Sequence, residues 1–415
     1  MTRGESKVAG HSRRAAIGGI GAALTAVSLT GPLTWPLTAW ARDDAAATGA
    51  TLSDEVFFAG LAYLAEHEDI PKVLPFTVQQ ISSGGGTGFD RVLAQLAAQT
   101  KCEVRINTDG LGKLAPGRTA YVMALAIDHE VTNIEETRDG YKLSCELWGQ
   151  ILVFDFHARS IVSSVPLIAR YNDLLPDRPT PDNIADSYHK LLFSDDPGCV
   201  QGQFAAKLSG RIMPQTASRS IRVTHATLSD MAAKQVDDLK MNASGKFAEQ
   251  MASSFTGWLT ANQRICVLPP SASEAIGNTM AARLSNGTVY QLTIPKPDYE
   301  VSLRLDGFKK VMTTEVAAGR GYVYGAFVTI EVTEPLSRTV FFSQQVRHGE
   351  NRTQPATAGD IDDAAVYDAV LPVLFSQFTT AIDPLDESWA THNILPANSA
   401  VAALKSLRGI IKLCR

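Results

Sequence analysis

The 415-residue chain has only five cysteines, Cys102, Cys145, Cys199, Cys266 and Cys414, and no CxxC pair. That absence removes zinc ribbons and thioredoxin-type redox sites from consideration. The odd count leaves at least one thiol unpaired in a monomer, and spacing assigns no partners to the others. Cys102, Cys145 and Cys266 fall in strand-like runs, where a free thiol serves as a small buried hydrophobe. Histidine is also sparse. His11, His67, His129, His157, His189, His225, His348 and His392 are scattered, with no HExxH or HxH pair. Asp155 and His157 share a strand face, as do Asp128 and Glu130. Such pairs could bind a metal, but in meander strands they more often form a solvated face. No GxSxG elbow occurs, and no cysteine lies near a histidine in sequence. The carboxylate pairs Glu135–Glu136 and Asp362–Asp363 fall in a turn and at a helix start, where solubility and capping explain them. No catalytic residue, cofactor-binding residue or metal ligand is therefore assigned, and no cofactor is expected. A triad assembled in space from distant residues stays open.

Positive charge is in deficit: 38 Lys and Arg stand against 43 Asp and Glu, a formal net charge of -5. An acidic chain is a poor candidate for nucleic-acid binding. Beyond the first forty residues no stretch approaches the ~20 apolar residues of a membrane helix. The first forty residues themselves are organised. Arg3, Lys7, Arg13 and Arg14 precede an apolar stretch from Ala15, which leads to Ala39-Trp40-Ala41. That is the order of a secretory signal, with Ala39 and Ala41 at the cleavage site. The Arg13-Arg14 pair points to the twin-arginine route, although Ala16 stands where a bulky apolar residue is usual. The alternative is an uncleaved anchor, against which Pro32 and Pro36 argue. No cysteine follows the small-residue site, so lipidation is not expected. Cleavage would leave about 374 residues with a net charge of -8. The expectation is a soluble protein, periplasmic or secreted.

One motif invites a nucleotide-site reading. The stretch ISSGGGTGFD (81–90) follows the apolar run VLPFTV and precedes a helical pattern. A P-loop needs Lys and Ser/Thr after its glycines, and this loop has neither. Asp90 at the helix start would repel a phosphate while satisfying free N–H groups. A structural loop is expected, and replacing Gly84–Gly86 with Ala should leave no nucleotide affinity to lose.

The chain also repeats an order of elements. In the first copy, 72–81 reads as a strand, 89–100 as a helix and 102–107 as a short strand. Long strands follow at 120–134, 141–156 and 159–171, then a helix at 183–193. In the second, 220–229 reads as a strand, 246–261 as a helix and 264–270 as a short strand. An additional helix is expected at 271–285 and a strand at 288–295. Long strands then follow at 299–312, 322–334 and 338–349. A closing helix at 362–382 contains Pro372, which should kink it. Gly140-Tyr141 aligns with Gly321-Tyr322, and Arg159-Ser160 with Arg338-Thr339, across a two-residue gap. From Tyr299 to Asp306, apolar and polar residues alternate, as in a strand with one covered face.

The fold class is therefore α+β: two tandem units, each a mixed sheet of strand–helix–strand plus a three-stranded antiparallel meander, with helices on one face. The expected organisation is a signal over 1–41, a first unit over 42–200, a second over 201–385 and a tail over 386–415. In the tail, Asn398-Ser399 could cap a helix carrying Lys405, Arg408, Lys412 and Arg415 on one face. That face could meet an anionic membrane peripherally, or the helix could dock on the body. Cys414 could pair internally or between molecules.

KVLPFTV, a small-residue loop, a helix and a short strand resemble the amino-terminal domain of TolB. RICVLPP, PDYEVSLRLDGF and the pair YVYGAFVTIEV and RTVFFSQQVRHG resemble the curli-secretion lipoprotein (CsgG-like) family, over about residues 70–385. The resemblance implies an envelope location and work through protein contacts. The chain departs from that family in lacking a lipidated cysteine and an insertion that would supply transmembrane hairpins, so channel activity is not carried over. The expected function is a non-enzymatic, exported cell-envelope factor that scaffolds or assists assembly or secretion, with protein partners and no nucleic acid. The alternative is an exported hydrolase or small-ligand binder with a cleft between the two units.

Overall fold

Strand β1 (Glu55–Tyr63) opens the first half. Its sequence, EVFFAGLAY, buries Val56, Phe58, Leu61 and Ala62, so both of its faces are covered. There follow α1 (Ile70–Val73), α2 (Pro75–Ser83), α3 (Thr87–Gln99), β2 (Arg105–Asn107), β3 (Tyr121–Thr137), β4 (Gly140–Asp155), β5 (Ser160–Leu175), α4 (Pro181–Phe193) and α5 (Val200–Leu208). β1 pairs in parallel with both β2 and β3, and β3, β4 and β5 form an antiparallel meander. The computed structural model describes residues 55–64, 68–83, 87–111, 120–137, 140–213, 219–242, 245–270, 279–285, 287–357 and 361–415. The signal residues Arg13, Arg14, Ala39 and Ala41 and the glycines Gly84–Gly86 lie outside them.

The second half comprises β6 (Ile221–Leu228), α6 (Asp230–Asp238), α7 (Phe247–Gln263), β7 (Val267–Leu268), β8 (Thr279–Leu284), β9 (Val289–Thr293), β10 (Tyr299–Val316), β11 (Gly319–Glu334), β12 (Thr339–Pro355), α8 (Asp363–Ile382), α9 (Glu387–Asn393), β13 (Ile394–Leu395) and α10 (Ala397–Leu413). β6 pairs in parallel with β7 and β10, and β10, β11 and β12 form an antiparallel meander. The pairing order is that of the first half.

The irregularities also coincide. Asp128 is left unpaired between Ile127↔Gly149 and His129↔Trp148, and Asp306 between Leu305↔Val328 and Gly307↔Phe327. Val162 and Phe341 bulge at matching places in β5 and β12. Arg159 and Arg338 both adopt left-handed φ, 51° and 57°, in the turns before those strands. Gly140 and Gly319 open β4 and β11 with φ of 141° and 154°. A Cβ at either would collide with a carbonyl of the neighbouring strand, Leu175 or Gln354, so only glycine fits. Nineteen positions separate Gly140 from Arg159, and likewise Gly319 from Arg338. Gly140 thus matches Gly319 rather than Gly321, and no gap is needed.

Among the described residues, all thirteen strands belong to one sheet within a single compact unit, Thr51–Arg415. The link is the short β7, which pairs with β6 and, through Val267↔Ser164, with β5. Hairpin β8–β9 belongs by sequence to the second half but pairs with β1 of the first, Ala62↔Leu284 and Tyr63↔Arg283. Its other strand reaches β5 at Thr293↔Ser160. β5, β4, β3, β1, β8 and β9 thereby close into a ring around a core that includes Val122, Ala124, Phe154, Ala282, Leu284 and Leu292.

Helices cover the opposite face. α3, α4 and α5 contribute Leu93, Tyr188, Leu192 and Phe204 to the first helix-side core, and α7, α8 and α10 contribute Phe255, Phe375, Phe378 and Leu404 to the second. Truncating such a phenylalanine costs about 3–5 kcal/mol. By length and composition α8 could cross a membrane, contrary to the expectation that no later stretch would. Leu374, Phe375, Phe378 and Ile382 are fully buried, and the helix serves the core.

Two expected elements are different. Residues 72–81, expected as a strand, form α1 and α2. Leu74, Thr77 and Ile81 are the buried positions, a helical spacing. Glu130 accepts hydrogen bonds from Phe76 N (2.9 Å), Thr77 N (2.9 Å) and Thr77 Oγ1 (2.6 Å), satisfying donors at the start of α2. Residues 271–285, expected as a helix, contain β8 over 279–284. The helix-favouring Ala and Leu there are overridden by pairing with β1 and β9.

Candidate functional site

A cleft of about 240 Å³ opens over β5, where α5 of the first half meets α7 and α8 of the second. Trp148 and Ile168 come from the strands, Lys207 from α5, Trp258 from α7, and Asp368 and Pro372 from α8. Pro166 lies in β5, which is interrupted on its outer side after the single bridge to β7. Trp148 is buried, while Trp258 keeps 36% of its surface exposed.

The polar groups of the cleft form a chain across the seam. Arg170 Nε is 2.9 Å from Glu146 Oε1, and its Nη1 is 3.3 Å from Asp368 Oδ2. Trp148 Nε1 donates to Glu146 Oε2 at 3.0 Å. The Trp148 ring stacks on His129 with centroids 5.8 Å apart and planes 4° from parallel. His129 Nδ1 lies 2.9 Å from Asp128 Oδ2. Burial pushes the Glu146 carboxyl above the ordinary range, against the pull of Arg170. The half-buried Lys207 has no carboxylate partner among the described residues, and desolvation holds its ammonium below the usual lysine value.

His157, His225 and His348 do not meet here. His157 lies in the β4–β5 turn, against the edge of Phe156. His225 is exposed beside Thr224. His348 Nε2 sits 3.8 Å from Glu350 Oε1 on β12, and burial lowers its pKa. Among the described residues no three His, Cys, Asp or Glu side chains come together as a metal site. Glu135 and Glu136, expected in a turn, lie in β3, where Glu135 Oε2 is 3.6 Å from Lys142 Nζ. Asp155 accepts from His157 N and Ala158 N, both at 2.8 Å. Asp362 caps α8 through Ala365 N at 3.0 Å. Asp363 holds Lys310 Nζ at 2.7 Å and Tyr324 Oη at 2.5 Å. Asp90, in the first turn of α3, accepts from Leu61 N at 2.7 Å and from Ser285 Oγ, tying α3 to β1 and to the end of β8.

All five thiols are free, and all but Cys102 are buried. Burial pushes Cys145 and Cys414 up to about 12 and Cys266 up to about 11, so none is a ready nucleophile. Cys414 is packed into the second core. The tail helix docks through Leu404, Leu407 and Ile411. It begins at Ala397, one position before Asn398, with no side-chain cap. Lys405 pairs with Glu387, and Arg408 and Arg415 with Asp383.

The cleft residues carried a weak sequence signal. Arg170 is the lone charge in the apolar run SIVSSVPLIARY, which marks a placed group. Its partner Asp368 is 198 positions away, and nothing in sequence joins them.

No family model matches the sequence, and no curated protein matches it. Among solved structures, a PelC dodecamer from Paraburkholderia phytofirmans is 13% identical, covers 38% of this chain and 84% of its own, and has a TM-score of 0.17. A neuraminyllactose-binding hemagglutinin homologue from Helicobacter pylori is 9% identical, covering 42% of this chain and 90% of its own at a TM-score of 0.23. A minor lipoprotein from Acinetobacter baumannii is 10% identical, covering 45% and 92% at 0.19.

Proposed function

We propose that the protein is an exported, non-enzymatic accessory factor of the cell envelope that works by holding a protein partner on the arm formed by the far ends of β10, β11 and β12. The observation that carries this reading is the outer edge of β12. That strand runs seventeen residues, and β13 pairs with it only at Gln345 and Val346. A long edge whose N–H and C=O groups lack strand partners is a template for an added strand. Two strands across the same arm, every residue of β10 from Lys309 to Val316 is exposed, including Met312 at 51% and Val316 at 58%. Clustered apolar exposure on a polar arm is the composition of a contact surface. The signal-like first forty residues and the resemblance to envelope assembly factors support the compartment.

The shared pairing order, bulges and turns of the two halves lead us to infer a duplicated ancestral unit. In that reading the second copy gained hairpin β8–β9 and kept its arm uncovered. The hydrolase alternative finds less support, since no histidine lines the cleft among the described residues.

The test is recovery of the native protein from the envelope under mild conditions. A stable partner should be retained by the native chain and lost on Met312→Asp with Val316→Asp, while folding stability stays within about 0.5 kcal/mol, as for exposed positions. A double variant that keeps its partner would refute the arm as the contact.

A further inference from the structure

The cleft at the seam has a chemistry that the arm does not use, and none of residues 309–316 lines it. Of its two cations, Arg170 is held by Glu146 and Asp368. Lys207 faces the same space without a carboxylate among the described residues. A half-buried ammonium is unfavourable unless an anion meets it. Trp148, Trp258 and Ile168 supply apolar and aromatic wall, and Gln203, Gln250, Ser253 and Ser254 supply neutral polar lining. A mainly apolar lining with a few placed polar and charged groups is how small-molecule sites are built.

We propose that this cleft binds a small amphipathic monoanion, its apolar and preferably aromatic body between Trp148 and Trp258 and its carboxylate-like headgroup on Lys207. The volume of about 240 Å³ exceeds the roughly 150 Å³ in which a protein cavity holds benzene, so a bicyclic body fits. Asp368 lines the same cleft and disfavours a second negative charge, which sets the preference for a monoanion. The site draws on both halves: Trp148 and Lys207 come from the first, Trp258 and Asp368 from the second.

Calorimetric titration of the full chain with 2-naphthoate, neutral 2-naphthalenemethanol and the dianion naphthalene-2,6-dicarboxylate tests this. Naphthoate should bind about tenfold more tightly than the alcohol, the value of one charge-assisted contact. Lys207→Met should remove that advantage and leave the alcohol within about twofold, because the change keeps the apolar stem. Lys207→Arg should retain it. Trp258→Ala, at a partly exposed position, should weaken both. The dicarboxylate should bind less tightly than naphthoate. Absence of naphthoate binding at millimolar concentration would overturn the proposal. So would equal naphthoate affinity in the native protein and in folded Lys207→Met, with folding checked by circular dichroism.

Discussion

The two halves share a strand order but treat the helix-free face of their sheets in opposite ways. In the first, Val122, Ala124 and Ala126 of β3 point to that face and are at most 1% exposed, because β8–β9 covers them. In the second, the matching residues of β10 are Glu300, Ser302 and Arg304, followed by Asp306, and among the described residues no strand covers them. Asp306 is instead held by Arg304, Thr329 and Gln345 at 2.6–2.8 Å. Hairpin β8–β9, which lies in the sequence of the second half and packs on the first, accounts for the contrast. Burial of both faces permits a continuous apolar strand, whereas one open face requires alternation.

The contrast can be broken experimentally. Ala124→Asp buries an unpaired carboxylate and should cost about 4 kcal/mol, while Ser302→Asp on the open face should stay within about 0.5 kcal/mol. Denaturant titration reads both, and equal effects would remove the distinction. Next in size, Leu292→Ala in the covering hairpin should cost about 2–4 kcal/mol by the same measurement, because the side chain is fully buried. Glu130→Gln should cost about 1–2 kcal/mol by weakening the bonds at the start of α2.

Glu130 also carries a pH signature. Burial raises its carboxyl above the ordinary range. Its contribution is therefore fully present below the unfolded value of ~4.3 and is lost as pH rises through the folded value. Glu130→Gln should flatten stability over that window. Asp383 in the second half has the opposite sign. Burial alone would raise it, but hydrogen bonds from Arg408 and Arg415 outweigh that and hold it low. Its contribution is present above the unfolded value of ~3.9 and is lost as pH falls through the folded value. Asp383→Asn should have the smallest effect, below about 1 kcal/mol near neutrality, and should remove that acid sensitivity.

Much of this architecture was legible in the sequence. Alternation over Tyr299–Asp306 identified a strand with one covered face, and the meanders of both halves were read from similar patterns. The apolar run Tyr121–Ile127 shows equally well that β3 is buried on both sides. What covers it was not legible, because the cover lies more than 150 positions later in a segment of helix-forming composition. Residues 72–81 misled for a related reason. Their apolar residues are dense enough to fit a strand, and only Glu130, contributed by β3, reveals the helix start. The glycine-rich stretch ISSGGGTGFD consequently follows a helix rather than a strand, which removes the strand–loop–helix setting of a phosphate site. The polar chain from Glu146 through Arg170 to Asp368 joins both halves, and local sequence carries no record of such pairing.

The most direct test of the account is site-specific photocrosslinking in the native envelope, with the crosslinker at Met312 on the arm or at Ser302 on the open polar face. The account predicts a discrete adduct with one protein at Met312 and none at Ser302. No adduct at Met312 at native protein levels, or the same adduct at both positions, would contradict it.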